Sequence, residues 1–536
     1  MIISLHNSKL IITLNILCDE FKFKMNKLLF ILIIYLIVFP LSVLSQTGIF
    51  KNNLESIKTK NSALIEKFPD SIKAHIAFLR SFSKKDSISL IKQYDKWMKK
   101  FPKSFVVPFA VGNFFYKNED PRAKKYLLRT VSLKPNLAEA WEMLSVDALR
   151  WGDSHLNTYY LKKAMDADPK NSDYVVKYVG SLNNTSKDKL DSLYLDIELR
   201  FRNTEAGASS LFFLAKESDN IDIQRIYYHQ LFKRYSLSQP PSFRTGMSNY
   251  FTSLLNWGAY KDAFALALDM IYVVDRNKLE WKHKIKVAKY FLDMEKLMTE
   301  RKYAEALIVL NHIKLADNLS NSDVYVQESL LLLKAEIADL LNNTQSAYDS
   351  VAVNYSKTYS DRLKTAMFGY AIKLGKDSSW VKQQIYKTRY ANSELATDVS
   401  FQEYGSGNKI SINDLKGKVV LLTFWFPGCG PCRAEFPHLE SVIKKFRTDQ
   451  IAYIGVNGMY DQDDYIAPFM KSTGYSFTAV KADLNQDLKT FAGDGYPRNY
   501  LIDKNGFIIA SKFRINKYNE RMLELLISEL LKDNIN

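Results

Sequence analysis

Apolar and polar positions divide the chain into three stretches. Residues 28–44 are almost continuously apolar and carry no charge. From about 50 to 390, apolar residues recur at helical spacing among charged ones: Trp141 and Leu144 share one helical face, Leu161 and Ala164 another. Beyond about 395 the pattern shortens. Lys418-Val-Val-Leu-Leu-Thr-Phe424 is β-branched and apolar, suited to a central strand buried on both faces, and Ile451–Val456 predicts a second strand. Helices are predicted at Asp463–Lys471, Leu484–Phe491 and about Tyr518–Lys532. Asn499–Asp503 and Phe507–Lys512 predict strands joined by a two-residue turn within Lys504-Asn505-Gly506. The expected fold class is multidomain: an all-α helical repeat region at 50–390, then an α/β domain at 395–536 with a mixed sheet covered by helices.

Prolines stand at 69, 102, 135 and 169, in the similar settings Lys-Phe-Pro69-Asp, Lys-Phe-Pro102-Lys, Leu-Lys-Pro135-Asn and Ala-Asp-Pro169-Lys. A period of 33 or 34 residues marks a two-helix repeat whose second helix is ended by proline. The unit from about Ala138 to Asn171 resembles the tetratricopeptide repeat at Trp141, Leu144, Gly152, Leu161, Ala164 and Pro169. Asn157 departs from it, standing where the repeat has a small residue. The preceding unit keeps Gly112 and Ala123 and places Pro108 inside its first helix. Beyond about residue 200 the period fades, though helix pairs persist around Gly258 and Tyr303. Such a solenoid serves as a spacer or scaffold, or as a concave surface for a protein or peptide ligand. His75, His155, His229, His283 and His312 are isolated in this stretch and point to no metal site.

The first stretch changes the compartment. Lys22, Lys24 and Lys27 precede the apolar run Leu28–Phe39, and Ser45 follows it at a plausible cut site. That is the layout of a signal peptide, with Met25 at its natural start, so residues 1–45 are expected to be an upstream segment and an export signal. The competing reading is an uncleaved single membrane anchor, for which 28–44 is short and interrupted by Pro40. Export places the protein in the periplasm or cell envelope. Of three cysteines, Cys18 would leave with the signal, and one vicinal pair, Cys429 and Cys432, would remain in an oxidising compartment. The 536 residues carry 74 Lys+Arg against 58 Asp+Glu, a formal +16. The lysines are scattered and nothing resembles a base-reading motif, so nucleic acid is not an expected partner.

Cys429-Gly-Pro-Cys432 falls where the strand at 418–424 gives way to a helix, the setting of a redox pair. At the helix N-terminus, unpaired backbone N–H groups and the helix dipole stabilise a Cys429 thiolate, the form that attacks a disulfide. Cys432, one turn on, is placed to resolve the mixed disulfide. Pro431 is tolerated because a first-turn residue has no intrahelical N–H partner to lose. The alternatives are a zinc half-site and a structural disulfide. Zinc prefers four ligands, and only His438 stands nearby in sequence.

Residues from about 395 onward resemble the thioredoxin superfamily, and within it the exported oxidoreductases related to TlpA and ResA. The resemblance rests on Leu415-Lys-Gly417, Phe424-Trp425, Cys429-Gly-Pro-Cys432-Arg-Ala-Glu435-Phe-Pro437, and Tyr496-Pro497 through Asp503 with Asn505-Gly506. It implies a thioredoxin fold in which Cys429 attacks and Cys432 resolves. Pro497 matches the family's cis proline, whose preceding backbone pairs with the substrate; Pro437 matches the kink of the active-site helix. Trp425, Tyr496 and Pro497 are the expected substrate-binding positions.

Two departures stand out. The buried acid six residues before the first cysteine of thioredoxin is Thr423 here. Glu435, one turn beyond Cys432 with Cβ atoms about 5–6 Å apart, becomes the candidate proton shuttle. Its bland alternative is an exposed first-turn glutamate. Gly428 replaces the tryptophan usual before the first cysteine, which removes a recognition surface.

The expected function is exported thiol-disulfide exchange with cysteine pairs in protein substrates, recharged by a separate redox partner and needing no metal or organic cofactor. Gly-Pro between the cysteines leans toward a reductant. The alternatives are a repeat-based adaptor with a docking redox module, and a peroxide-reducing member of the superfamily.

Overall fold

The structure is a computed structural model and describes residues 48–82, 87–182, 186–218, 220–274, 277–313, 321–391, 393–482, 491 and 493–533. The expected export segment and most of the helix expected at Leu484–Phe491 lie outside the described residues. Among the described residues no helix is long and apolar enough to cross a membrane.

Helices follow one another from Gly48 to Tyr390, and the first strand begins at Glu394. The four periodic prolines each stand two residues past a helix end: Lys67, Lys100, Leu133 and Ala167 close the helices before Pro69, Pro102, Pro135 and Pro169. Proline cannot supply the N–H that continues a helix, so the period in sequence becomes a period of chain reversals. Pro108 is harmless because it lies in the first turn of Val106–Lys117.

In the clearest repeat, Ala138–Arg150 pairs with Ser154–Ala167, and Gly152 between them takes φ +74°. Leu144, Leu161 and Ala164 are buried along the seam. Asn157 is also buried, and its amide donates to the Ser145 carbonyl at 3.0 Å. The polar departure from the repeat pattern is thus paired across the two helices, which removes most of its desolvation cost.

By packing, the chain forms two compact units: residues up to Phe114 with Ser132–Lys134, and Phe115–Val131 with Pro135 onward. The core of the first gathers Phe78, Tyr94 and Trp97 around His75. His75 Nε2 faces the Pro69 carbonyl at 2.9 Å and must donate to it, leaving Nδ1 to accept from the Tyr94 hydroxyl at 3.0 Å. Burial lowers its pKa against the Pro69 hydrogen bond and Asp70, and both ring nitrogens are paired within the core.

The second unit contains the sheet. Its strands are β1 (Glu394–Leu395), β2 (Ser400–Glu403), β3 (Lys409–Ser411), β4 (Val419–Trp425), β5 (Ile451–Asn457), β6 (Thr478–Ala482), β7 (Arg498–Ile502) and β8 (Phe507–Phe513). Their spatial order is β1-β8-β7-β4-β5-β6-β2-β3. β4, β5 and β6 run parallel; β7 is antiparallel to β4, and the remaining pairings are antiparallel. All seven residues of β4 are buried. Val419, Leu421 and Trp425 enter the core on one face, Val420, Leu422 and Phe424 that on the other.

The β7–β8 connection differs from the expected two-residue turn. Asp503 and Phe507 remain paired, so the loop is the three residues Lys504–Gly506, with Gly506 at φ +93°. Asp503 Oδ1 accepts from the N–H groups of Asn505 and Phe507 at 3.0 and 2.7 Å. That carboxylate stabilises the longer loop, and the left-handed glycine closes it.

The core on the first face of β4 does not stop at the sheet. It joins Cys432, Phe436 and Leu439 of the Gly430–Ile443 helix and Leu523–Leu530 of the Glu520–Lys532 helix to Tyr348, Val351, Tyr355 and Ile385 of the preceding helices. Arg389 donates to Asp533, Tyr390 to Asp503 at 2.7 Å, and Lys364 to Glu529 at 2.7 Å across the same boundary. The last repeat helices and the sheet therefore share one apolar interior.

Ala164 has no exposed surface. Ala164→Leu should overpack the seam and cost about 1–3 kcal/mol, seen as a lower urea midpoint with unchanged far-ultraviolet helicity.

Candidate active site

β4 delivers the chain to its carboxyl end at Trp425, and Phe426–Gly428 turn it into the Gly430–Ile443 helix. Cys429 is the N-cap residue. Its Sγ accepts from the Cys432 N–H at 3.1 Å, and its own N–H donates to the Phe426 carbonyl at 2.9 Å. Cys429 and Cys432 are joined by a disulfide with Cα atoms 5.3 Å apart. Cys432 is fully buried and Cys429 is 4% exposed. The outer sulfur thus stands at the N-terminal end of the helix, beside its first-turn N–H groups.

Glu435 is buried, so the bland alternative of an exposed first-turn glutamate does not hold. Its carboxylate accepts from Asn499 Nδ2 at 2.7 Å and faces Arg514 Nε at 3.3 Å. Burial raises its pKa, opposed by the Asn499 hydrogen bond, the Arg514 charge, the Ile515 backbone N–H and His438. Thr423, where thioredoxin has its acid, is fully buried, and its hydroxyl has no hydrogen-bond partner among the described residues. Asn499 and Arg514, which hold Glu435, escaped the sequence reading. Asn499 belongs to the Tyr496–Asp503 pattern, but only the pairing of β7 beside β4 brings it under the active-site helix.

The Tyr496–Pro497 bond is cis. Pro497 is buried and its carbonyl accepts from Arg514 at 3.0 Å. The half-buried Tyr496 sets its ring edge-on to Phe426 at 5.3 Å and donates to the Gly458 carbonyl at 3.2 Å, which ties this loop to the turn before Cys429. Trp425 corrects its expectation. Its ring is fully buried among Phe436, Phe469 and Phe477, so it supports the site from below and cannot touch a substrate. His438 points to Glu520, 2.5 Å away, on the far end of the chain.

Two arginines flank the turn. Arg433 donates to the Pro427 carbonyl. Burial pushes its pKa down to about 10, the neighbouring Arg150 acts the same way, and Glu119 opposes both. Glu119 and Arg150 belong to the helical part of the chain. Neither carries a motif, so only the tertiary structure reveals them here.

A profile described as the AhpC/TSA family matches residues 393–511. Among characterised proteins, the chain is 31% identical over 130 residues to the thiol-disulfide oxidoreductase ResA of Bacillus subtilis (strain 168), covering 23% of this chain and 72% of that protein. It is 30% identical over 138 residues to the thioredoxin-like protein YneN of the same organism, covering 24% and 78%. Among solved structures, the thioredoxin domain of a thiol-disulfide oxidoreductase from Bacteroides vulgatus is 26% identical, covering 25% of this chain and 96% of that one, with a TM-score of 0.23.

A raised folded-state pKa means that the folded protein holds the Glu435 proton more tightly than the unfolded chain. The stability this provides is complete below the ordinary glutamate range, about 4.3, and is lost as pH rises through the elevated value. Glu435→Gln, which keeps an acceptor for Asn499, should therefore melt progressively higher than the parent as pH rises from about 4 to 8. Parallel melting curves across that range would refute it.

Proposed function

Since the chain belongs to the thioredoxin-like thiol-disulfide oxidoreductases, we propose that it exchanges disulfides with cysteine pairs of exported proteins through Cys429 and Cys432. The observation that carries this reading is the Cys429–Cys432 disulfide at the start of the Gly430–Ile443 helix, with Cys429 Sγ accepting the Cys432 N–H. When the pair is reduced, the same N–H and the helix dipole favour a Cys429 thiolate.

In the reducing direction, that thiolate attacks one sulfur of the client disulfide. A mixed disulfide forms, and the client's other sulfur leaves as a thiolate and takes up a proton. Cys432 then gives its proton to Glu435 and attacks Cys429 Sγ, and the second client sulfur leaves and is protonated. The client gains two electrons and two protons; the enzyme pair is oxidised, and a separate redox partner must reduce it again. Glu435 suits the proton transfer because burial raises its pKa and it lies one turn from Cys432. The backbone before Pro497 serves as the edge on which an extended client segment pairs, with Tyr496 at its rim.

The Gly-Pro dipeptide favours the reducing direction. The basic and apolar segment at 22–45 supports export, by cleavage or as an anchor. Residues 395–536 form the redox domain, and 50–390 a tetratricopeptide-like arm that holds it or presents clients to it.

The test is capture in the native compartment. Cys432→Ser should accumulate mixed disulfides with client proteins, and Cys429→Ser should capture none and lose all exchange. If Cys429→Ser exchanged disulfides as fast as the parent, this function would be wrong.

A further inference from the structure

The helical part of the second unit reaches the turn that presents Cys429. Gly428 donates its N–H to Gln462 Oε1 at 2.6 Å. Because a backbone N–H can only donate, the Gln462 amide is fixed with its oxygen toward Gly428 and its NH2 group outward. That NH2 group donates to Glu119 Oε2. Glu119 Oε1 in turn receives Arg150 Nη2 at 3.3 Å, and Arg150 Nη1 donates to the Tyr116 carbonyl at 3.3 Å. Gln462 is 1% and Arg150 6% exposed, while the Glu119 side chain between them is 35% exposed.

Two further observations agree. A Cβ on residue 428 would stand 2.8 Å from both Glu119 Oε2 and Gln462 Nε2, closer than real Cβ contacts occur. The Ala138–Arg150 helix, which carries Arg150, also docks beside this point. Tyr465 donates to Asp147 at 2.9 Å and packs edge-on against Trp151 at 5.0 Å. Ser472 donates to the Gly152 carbonyl at 3.0 Å, and a side chain on Gly152 would meet Thr473 and Phe469.

We propose that Glu119, in the helical part of the chain, is a positioning residue for the redox site: by holding the Gln462 amide in one orientation it clamps Gly428 and sets the placement of Cys429. This rests on Cys429 being the attacking sulfur. The arm is then part of the catalytic apparatus, and Gln462 carries its influence to the nucleophile. Without the Glu119 acceptor, the Gln462 NH2 group loses the partner that orients it, and its oxygen is held less firmly on the Gly428 N–H.

The test uses the reduced full-length chain and a small aromatic disulfide, dithiobis(nitrobenzoate), as the probe. Glu119→Ala should lower the second-order rate constant for reaction with the probe about tenfold, the scale of one lost hydrogen bond, while the thermal midpoint stays within a few degrees. Glu119→Gln keeps an acceptor and should restore the rate to within about threefold of the parent. If Glu119→Ala does not fold, Gly428→Ala reads the same clamp from the other side: its methyl displaces both side-chain ends, and the rate should fall similarly.

A parent-like rate in Glu119→Ala, or equal losses in Glu119→Ala and Glu119→Gln, would overturn the clamp. Undiminished exchange in Cys429→Ser would instead remove the reading of Cys429 as nucleophile, and the positioning role with it.

Discussion

Burial of β4 on both faces is the constraint from which the site follows. Every one of its residues is buried, and alternate side chains anchor it in two separate cores. A strand held in this way cannot slip by one residue without exchanging its two faces. Its carboxyl end, and hence the start of the Gly430–Ile443 helix, stands at a defined place. The helix N-terminus supplies the N–H groups and dipole that a thiolate needs, and Cys429 occupies the cap itself. Redox chemistry at this point depends on a position that packing has already determined.

The second consequence concerns the charged groups around the sulfurs. Glu435 lies under the sheet with Asn499 and Arg514, while Arg433 and Arg150 lie on the opposite flank with Glu119. Burial raises the pKa of Glu435 against those partners, and Glu119 is held between hydrogen-bond donors, so two similar carboxylates meet different surroundings. The last helices before the sheet share an apolar core with it.

Much of this was legible in sequence because it is local. The proline period located the helix ends, the all-apolar run located the doubly buried strand, and Cys-Gly-Pro-Cys located the cysteine pair at the start of the next helix. The errors came from side chains whose surroundings lie far away in sequence. Trp425 reads as a residue beside the site, yet three phenylalanines from other elements enclose it. Asn157 reads as a defect in the repeat and proves to be paired with Ser145. The turn at Lys504–Gly506 is one residue longer than expected, because the Asp503 side chain bonds the backbone across it.

The sequence by itself determined the order of elements, the family of the carboxy-terminal domain and the two sulfurs, since periodicity, caps and a four-residue motif act within a few turns of the chain. The tertiary structure alone decided which groups surround those sulfurs. Glu119 and Gln462 are 343 residues apart and meet beside Gly428. Arg150, at the end of the Ala138–Arg150 helix, bonds Glu119, and that helix meets the Asp463–Thr473 helix through Tyr465 and Asp147. Such a contact leaves no periodic trace, because it depends on where two surfaces dock rather than on how either one folds.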